Sequence, residues 1–222
     1  MYKDSFTNKV LSAAFAILLA LFVITLSIGL PIYVRPFYYA QIDALELEKE
    51  TGRTEEEIIE AYDELLDFLT LGKDFGVGSF HYSENGKSHF YDCKIIFDLN
   101  LAALATSLIL MLVILFAYRV KGEEMWRPFG LHISFFSGLF TLLVFCLAGV
   151  FIFLNFDEAF LVFHSILFPG KKNWYFNTIT DPIILALPNQ FFMNAAFLII
   201  ASVTLTSLSL IINALINRDT RF

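Results

Sequence analysis

The sequence predicts an α-helical integral membrane protein with four transmembrane helices and a small α+β extracytoplasmic cap. Three observations carry that prediction. Hydrophobic residues make up 57% of the 222 residues, and the mean hydropathy is +0.67, more apolar than a soluble domain of this length carries. Four apolar runs are each long enough to cross a hydrocarbon core of about 30 Å. Lys and Arg gather in three short segments that an even number of spans puts on one side.

The runs are residues 10–34, 99–118, 129–156 and 191–216, and none holds a Lys, Arg, Asp or Glu in its centre. The first is longer than the roughly 7–15 apolar residues of a secretion-signal core, and no small-residue cleavage pattern follows it, so it reads as a retained anchor. The N-terminal flank holds Lys3 and Lys9, the loop 119–128 holds Arg119, Lys121 and Arg127, and the tail 217–222 holds Arg218 and Arg221. By the positive-inside rule these segments are cytoplasmic, as are both termini. Segments 35–98 and 157–190 then lie outside. The first is long and acidic, but long segments translocate largely regardless of charge. A net charge of −7 argues against nucleic acid as a partner. The two cysteines, Cys93 and Cys146, fall in a polar segment and inside an apolar run, so no disulfide between them is expected.

The first outer segment should contain a helix over about 54–70. Thr54 and Glu57 form a capping box, Ile58, Ile59, Tyr62, Leu65, Leu66 and Leu69 follow at helical spacing, and Gly72 suits the stop. Its acidic face reads as a solvated surface. Beyond it Asn85-Gly86 signals a tight turn. The expectation is a hairpin over about 79–95, one arm ending near Ser83 and the other starting near Ser88, which sets His89 and Asp92 just above the second span. In 157–190, the stretch Phe160–Phe168 is apolar but too short to span, with His164 at its centre and Pro169-Gly170 at its end. Lys171, Lys172 and Trp174 suit the headgroup zone. Asp181-Pro182 opens a second short apolar piece that Pro188 closes. The segment reads as interfacial or shallowly re-entrant, where a histidine needs a partner or a wet cavity.

Of four histidines, His132 opens span three on the cytoplasmic side, whereas His81, His89 and His164 lie outside. Histidine transfers protons near neutral pH, so His89 and His164 are candidates to share acid and base roles, and His81 is a bystander. A zinc site built from His89, His164 and Glu84 is the other functional reading, but no HExxH or CxxC spacing supports it. No G-x-S-x-G or phosphate loop is present either.

Two stretches carry a resemblance. One is Ser83-Glu84, Ser88-His89 and Asp92-Cys93-Lys94, leading into span two. The other is Phe163-His164-Ser165-Ile166-Leu167-Phe168-Pro169-Gly170, then Trp174-Tyr175-Phe176, Asp181 and Leu187-Pro188-Asn189-Gln190-Phe191-Phe192. They resemble the lipoprotein intramolecular transacylase family of Gram-positive bacteria, across nearly the whole chain. Where that family has Val after the first motif's Asp, this chain has Cys93. The resemblance implies an enzyme of the cell membrane whose site faces outward and whose substrate is a diacylglyceryl-modified lipoprotein, with membrane lipids around it and no cofactor. One acyl chain moves from the glyceryl ester to the α-amine of the N-terminal Cys, giving the lyso form. Two catalytic histidines are implied at His89 and His164, with His164 as base and His89 as acid or oxyanion donor, or the reverse. Glu84, Asp92, Trp174 and Asp181 are the supporting or substrate-binding candidates, the carboxylates as orienters of an imidazole. No serine among Ser83, Ser88 and Ser165 has a specific claim as nucleophile, which favours direct transfer. The alternative is a non-catalytic lipid- or lipoprotein-binding membrane subunit.

Overall fold

The computed structural model describes residues 5–218. Lys3 and Arg221, used above for orientation, lie outside the described residues. The helices are α1 (Phe6–Tyr33), α2 (Pro36–Tyr39), α3 (Leu47–Thr51), α4 (Glu55–Leu71), α5 (Glu84–Lys121), α6 (Ser134–Leu154), α7 (Phe156–Leu167), α8 (Ile183–Ala186) and α9 (Asn189–Ile216). Four of them, α1, α5, α6 and α9, are long and apolar enough to cross a membrane. They match the four runs in the sequence. Span three begins at Ser134 rather than near Phe129, because Pro128–Gly130 forms a 3-10 turn with Phe129 at φ 53°. His132 Nδ1 then accepts the Ser134 hydroxyl at 2.9 Å and so works as a helix-start residue.

The chain divides into two compact units. One comprises residues up to Ile28, Leu101–Val150 and Leu198 onward; the other comprises Gly29–Asn100 and Phe151–Phe197.

The first unit buries small polar side chains among its apolar ones and exposes large apolar residues. Ser12, Ser107, Thr141 and Ser207 are completely buried, whereas Ile17, Phe116 and Leu205 are each 70% exposed. That pattern suits lipid, where association relies on close packing and hydrogen bonds between helices. Thr141 meets Ser207 across α6 and α9 at 2.7 Å, and Ser27 meets Ser202 across α1 and α9 at 3.1 Å. Ser137 donates to the Ala16 carbonyl at 2.8 Å, tying α6 to α1. Ser12 pairs with the Tyr118 hydroxyl at 3.0 Å, tying α1 to α5. Gly138 lets α9 approach so closely that a Cβ there would stand 2.8 Å from the Ser207 carbonyl oxygen.

The second unit is built on α4, whose buried face carries Ile58, Ala61, Tyr62, Leu65, Leu66, Phe68 and Leu69. Tyr38 of α2 stacks on Tyr62 at 3.7 Å, and its hydroxyl donates to the Ala186 carbonyl at 2.8 Å. The capping box forms: Glu57 N–H donates to Thr54 Oγ1 at 3.4 Å, and Thr54 N–H donates to Glu57 Oε2 at 3.0 Å. Thr54→Ala is expected to remove about 1 kcal/mol of stability. Thermal unfolding of the purified protein checks this, with Thr54→Ser near wild type. The acidic face of α4 is more than a solvated surface. Arg35 pairs with Asp63 at 2.8 Å and also with Asp67, Lys73 reaches Asp67 at 2.7 Å, and Glu64 accepts the Gly78 N–H at 2.7 Å. Arg35 thus ties the segment before α4 to the helix, and the Lys73 and Gly78 contacts hold the following loop onto it.

The α+β cap and its hairpin are corrected: among the described residues there is no strand, and Asn85-Gly86 lies in the first turn of α5. Ser83 explains the outcome. Its hydroxyl oxygen accepts the Gly86 N–H at 3.0 Å and its carbonyl accepts the Lys87 N–H at 3.0 Å, which starts a helix where the turn signal was read. At 38 residues α5 is about 57 Å long, nearly twice a hydrocarbon core of about 30 Å. Its leading turns carry Glu84, Lys87, Asp92, Lys94 and Asp98, so they stand outside the spanning part.

Candidate active site

Both histidines singled out in the sequence lie in the second unit, and the fold brings them together. His89 sits early in α5 and His164 near the end of α7, where Asn155 caps the start by accepting the Glu158 N–H at 3.2 Å. Their ring centroids are 5.9 Å apart, and the residues are only 5% and 7% exposed. Aromatic rings enclose the pair. Phe168 and Phe176 lie 4.9 and 5.5 Å from His89, Phe160 lies 4.1 Å from His164, and Trp174 stacks on His164 at 4.7 Å.

The hydrogen bonds make the two imidazoles unequal. His164 Nδ1 is 2.8 Å from the Phe160 carbonyl oxygen. A carbonyl only accepts, so Nδ1 of the neutral ring carries the proton and Nε2 holds the free lone pair. Burial lowers the His164 pKa, and the bond to Phe160 works against that shift. His89 Nε2 lies 3.3 Å from Cys93 Sγ, while its buried Nδ1 has no partner among the described residues. Burial, reinforced by His164 and Lys171 and opposed by Asp92, brings the His89 pKa down to about 4. His89 is therefore neutral at physiological pH. Burial also pushes the Cys93 thiol up to about 12, so it stays protonated and unreactive. Both cysteines are free thiols.

Asp92 and Asp181 hydrogen-bond to the scaffold rather than to an imidazole, whereas Trp174 stacks on one. Asp181, buried at 3% exposure, accepts the Ser83 N–H at 2.8 Å and the Thr180 hydroxyl at 2.7 Å, fixing the start of α5. Gly86 belongs to the same joint: a Cβ there would meet the Asp181 carboxyl carbon at 2.9 Å and the Phe176 ring at 3.0 Å. Asp92 accepts Lys171 Nζ, and Asn173 Nδ2 at 2.9 Å. Despite burial, these hydrogen bonds hold the Asp92 carboxyl below its usual range. Lys171 is thus an internal partner of α5, a role its place beside Trp174 in the sequence did not reveal. The Lys171 carbonyl in turn accepts Trp174 Nε1–H at 3.1 Å, which steadies the indole over His164. Glu84 is exposed in the first turn of α5, and among the described residues no three His, Cys, Asp or Glu side chains gather around a metal-sized site. His81 Nε2–H donates to the Ile179 carbonyl at 2.5 Å, a loop tie remote from the imidazole pair in role. Asn173 was missed: a lone Asn beside Trp carries no sequence signal of its own.

A family model for the lipoprotein intramolecular transacylase Lit matches residues 13–192, a stretch that contains every residue of this site. The chain belongs to the Lit family. Solved structures of Lit from Bacillus cereus agree with it. One determined in meso superposes with a TM-score of 0.83 at 25% identity, covering 92% of each chain. A variant of that enzyme with one histidine changed to arginine gives 0.77 at 23% identity, covering 95% of this chain and 92% of that one. A histidine-to-alanine variant gives 0.75 at 25% identity, covering 94% of each. No curated protein sequence matches the chain. Lit membership makes this protein a multi-pass membrane acyltransferase, a lipoprotein intramolecular transacylase. The non-catalytic alternative is thereby set aside.

Proposed function

We propose that His89 and His164 together move an acyl chain from the S-diacylglyceryl group to the α-amine of the N-terminal Cys of a lipoprotein, at the outer membrane–water boundary. The single observation that carries this reading is the unequal, enclosed imidazole pair: one ring with a fixed free Nε2, the other neutral with an unpartnered Nδ1. The amine nitrogen attacks the glyceryl ester carbonyl, and His164 Nε2 takes an amine proton. In the tautomer whose Nε2 accepts the protonated Cys93 thiol, a neutral His89 donates its Nδ1–H to the oxyanion, as a preorganised donor rather than an acid. The acyl–oxygen bond then breaks, and the proton on His164 passes to the departing glyceryl oxygen. An ester and an amine thus become an amide and an alcohol, with no proton gained or lost. Trp174 stacked on His164 steadies the imidazolium through its π face. Donor and acceptor belong to one molecule, so the site mainly holds the lipid headgroup in reactive geometry.

The basic flanks orient the second unit outward, where the lipidated terminus lies. Co-expression with a diacylglyceryl lipoprotein, followed by mass spectrometry of the N-terminal lipopeptide, tests the reading. The expected product carries one N-acyl and one O-acyl chain. A free amine with both O-acyl chains retained contradicts it.

A further inference from the structure

Two buried polar atoms of the described side chains have no hydrogen-bond partner, His89 Nδ1 and Asn173 Oδ1, and both belong to this site. Unpaired buried polar atoms are rare enough that each calls for a cause. Asn173 Nδ2 donates to Asp92 Oδ2 at 2.9 Å and to Ser88 Oγ at 3.3 Å. The Asp92 carboxylate, ion-paired with Lys171, only accepts. The amide can therefore point only its NH₂ toward Asp92, which turns its buried oxygen away from that carboxylate and removes the usual ambiguity of an Asn flip. Ser88 and Asp92 flank His89 on α5, and Asn173 precedes Trp174, which stacks on His164. Asn173 thus bonds to residues beside His89 and adjoins the ring that stacks on His164.

The chemistry of the reaction supplies its partner. The unpartnered His89 nitrogen serves the ester oxygen as a donor. The Asn173 oxygen is an acceptor, and the substrate's reacting donor is its α-amine, which, with its lone pair aimed at the ester and one N–H at His164 Nε2, keeps a second N–H to give. We propose that Asn173 Oδ1 holds the α-amine of the N-terminal Cys in line for attack, with Asp92 and Lys171 as the residues that orient it. This rests on the acyl-transfer reading above. It assigns the residue that makes the amine, rather than water, the nucleophile.

The partition of product tests it. Purified wild type acting on a synthetic diacylglyceryl lipopeptide gives N-acyl product with little free fatty acid; wild type giving no N-acyl product sinks the transacylase reading itself. Asn173→Ala is expected to lower N-acylation about tenfold or more, the scale of one lost buried hydrogen bond, while raising the share of acyl chains released to water. A purely structural role would reduce both products in proportion. The exchange Asp92→Asn with Asn173→Asp restores the amide–carboxylate bond and leaves a carboxylate oxygen where Oδ1 stood, so it is expected to recover N-acylation relative to Asn173→Asp alone. Equal N-acylation by wild type and Asn173→Ala, or proportional loss without rescue by the exchange, overturns the assignment.

Discussion

Replacing His164 by Ala is expected to slow N-acyl transfer by about 10²–10⁴-fold, the usual contribution of a positioned general base. The expectation follows from the Phe160 carbonyl, which fixes the proton on Nδ1 and leaves Nε2 as a lone pair in an enclosed site. It also sets a pH dependence. As the proposed base, His164 works unprotonated, and burial lowers its pKa below the ordinary histidine value of about 6.5. The rate therefore falls as pH drops through that lowered value, so activity persists to more acidic pH than an ordinary histidine would permit. A second limb comes from the substrate amine, which must be neutral to attack and has an ordinary pKa of about 7.7–8.0. Initial rates of N-acyl product across pH should show both limbs in the wild type and only the amine limb in His164→Ala. An unchanged acid limb in the variant assigns that limb to another group.

Substituting Gly86 gives the second large effect, and its sign is informative. On helix propensity alone, Gly86→Ala would stabilise α5 by up to about 1 kcal/mol. The Asp181 carboxyl and the Phe176 ring leave no room for a Cβ. The substitution is expected to destabilise by about 1–3 kcal/mol, as overpacking does, and Gly86→Val by more. Because Asp181 also accepts the Ser83 N–H, displacing it shifts the turn that carries His89. Activity should therefore drop together with melting temperature. A more stable, fully active Gly86→Ala variant would mean that this joint is loose.

Gly86 also shows where reading the sequence stops. Asn-Gly is a strong turn signal, and the expected hairpin was a fair local inference. What a local pattern cannot carry is the approach of Asp181 from 95 positions away, which gives the glycine a tertiary reason and leaves Ser83 free to start a helix. The same limit applies to Asp92 and Asp181. Their positions near the histidines were legible, but as orienters of imidazoles; in the fold their partners are Lys171, Asn173, Ser83 and Thr180. The four apolar helices were legible because lipid imposes long uninterrupted runs. The α4 capping box was legible because its partners lie three residues apart. His89 and His164 came from their positions beside the spans and from family resemblance. Their inequality came from a backbone carbonyl that no sequence pattern marks.

In the proposed mechanism the two imidazoles serve one transition state. Its most direct test is a double-mutant cycle on purified protein with a synthetic diacylglyceryl lipopeptide, using His89→Ala, His164→Ala and both together. Residues acting as a unit lose their effect together. Each single variant is expected to be severely impaired, and the double variant to be about as slow as the slower single. Losses that multiply in the double variant, or normal N-acylation by either single variant, would contradict it.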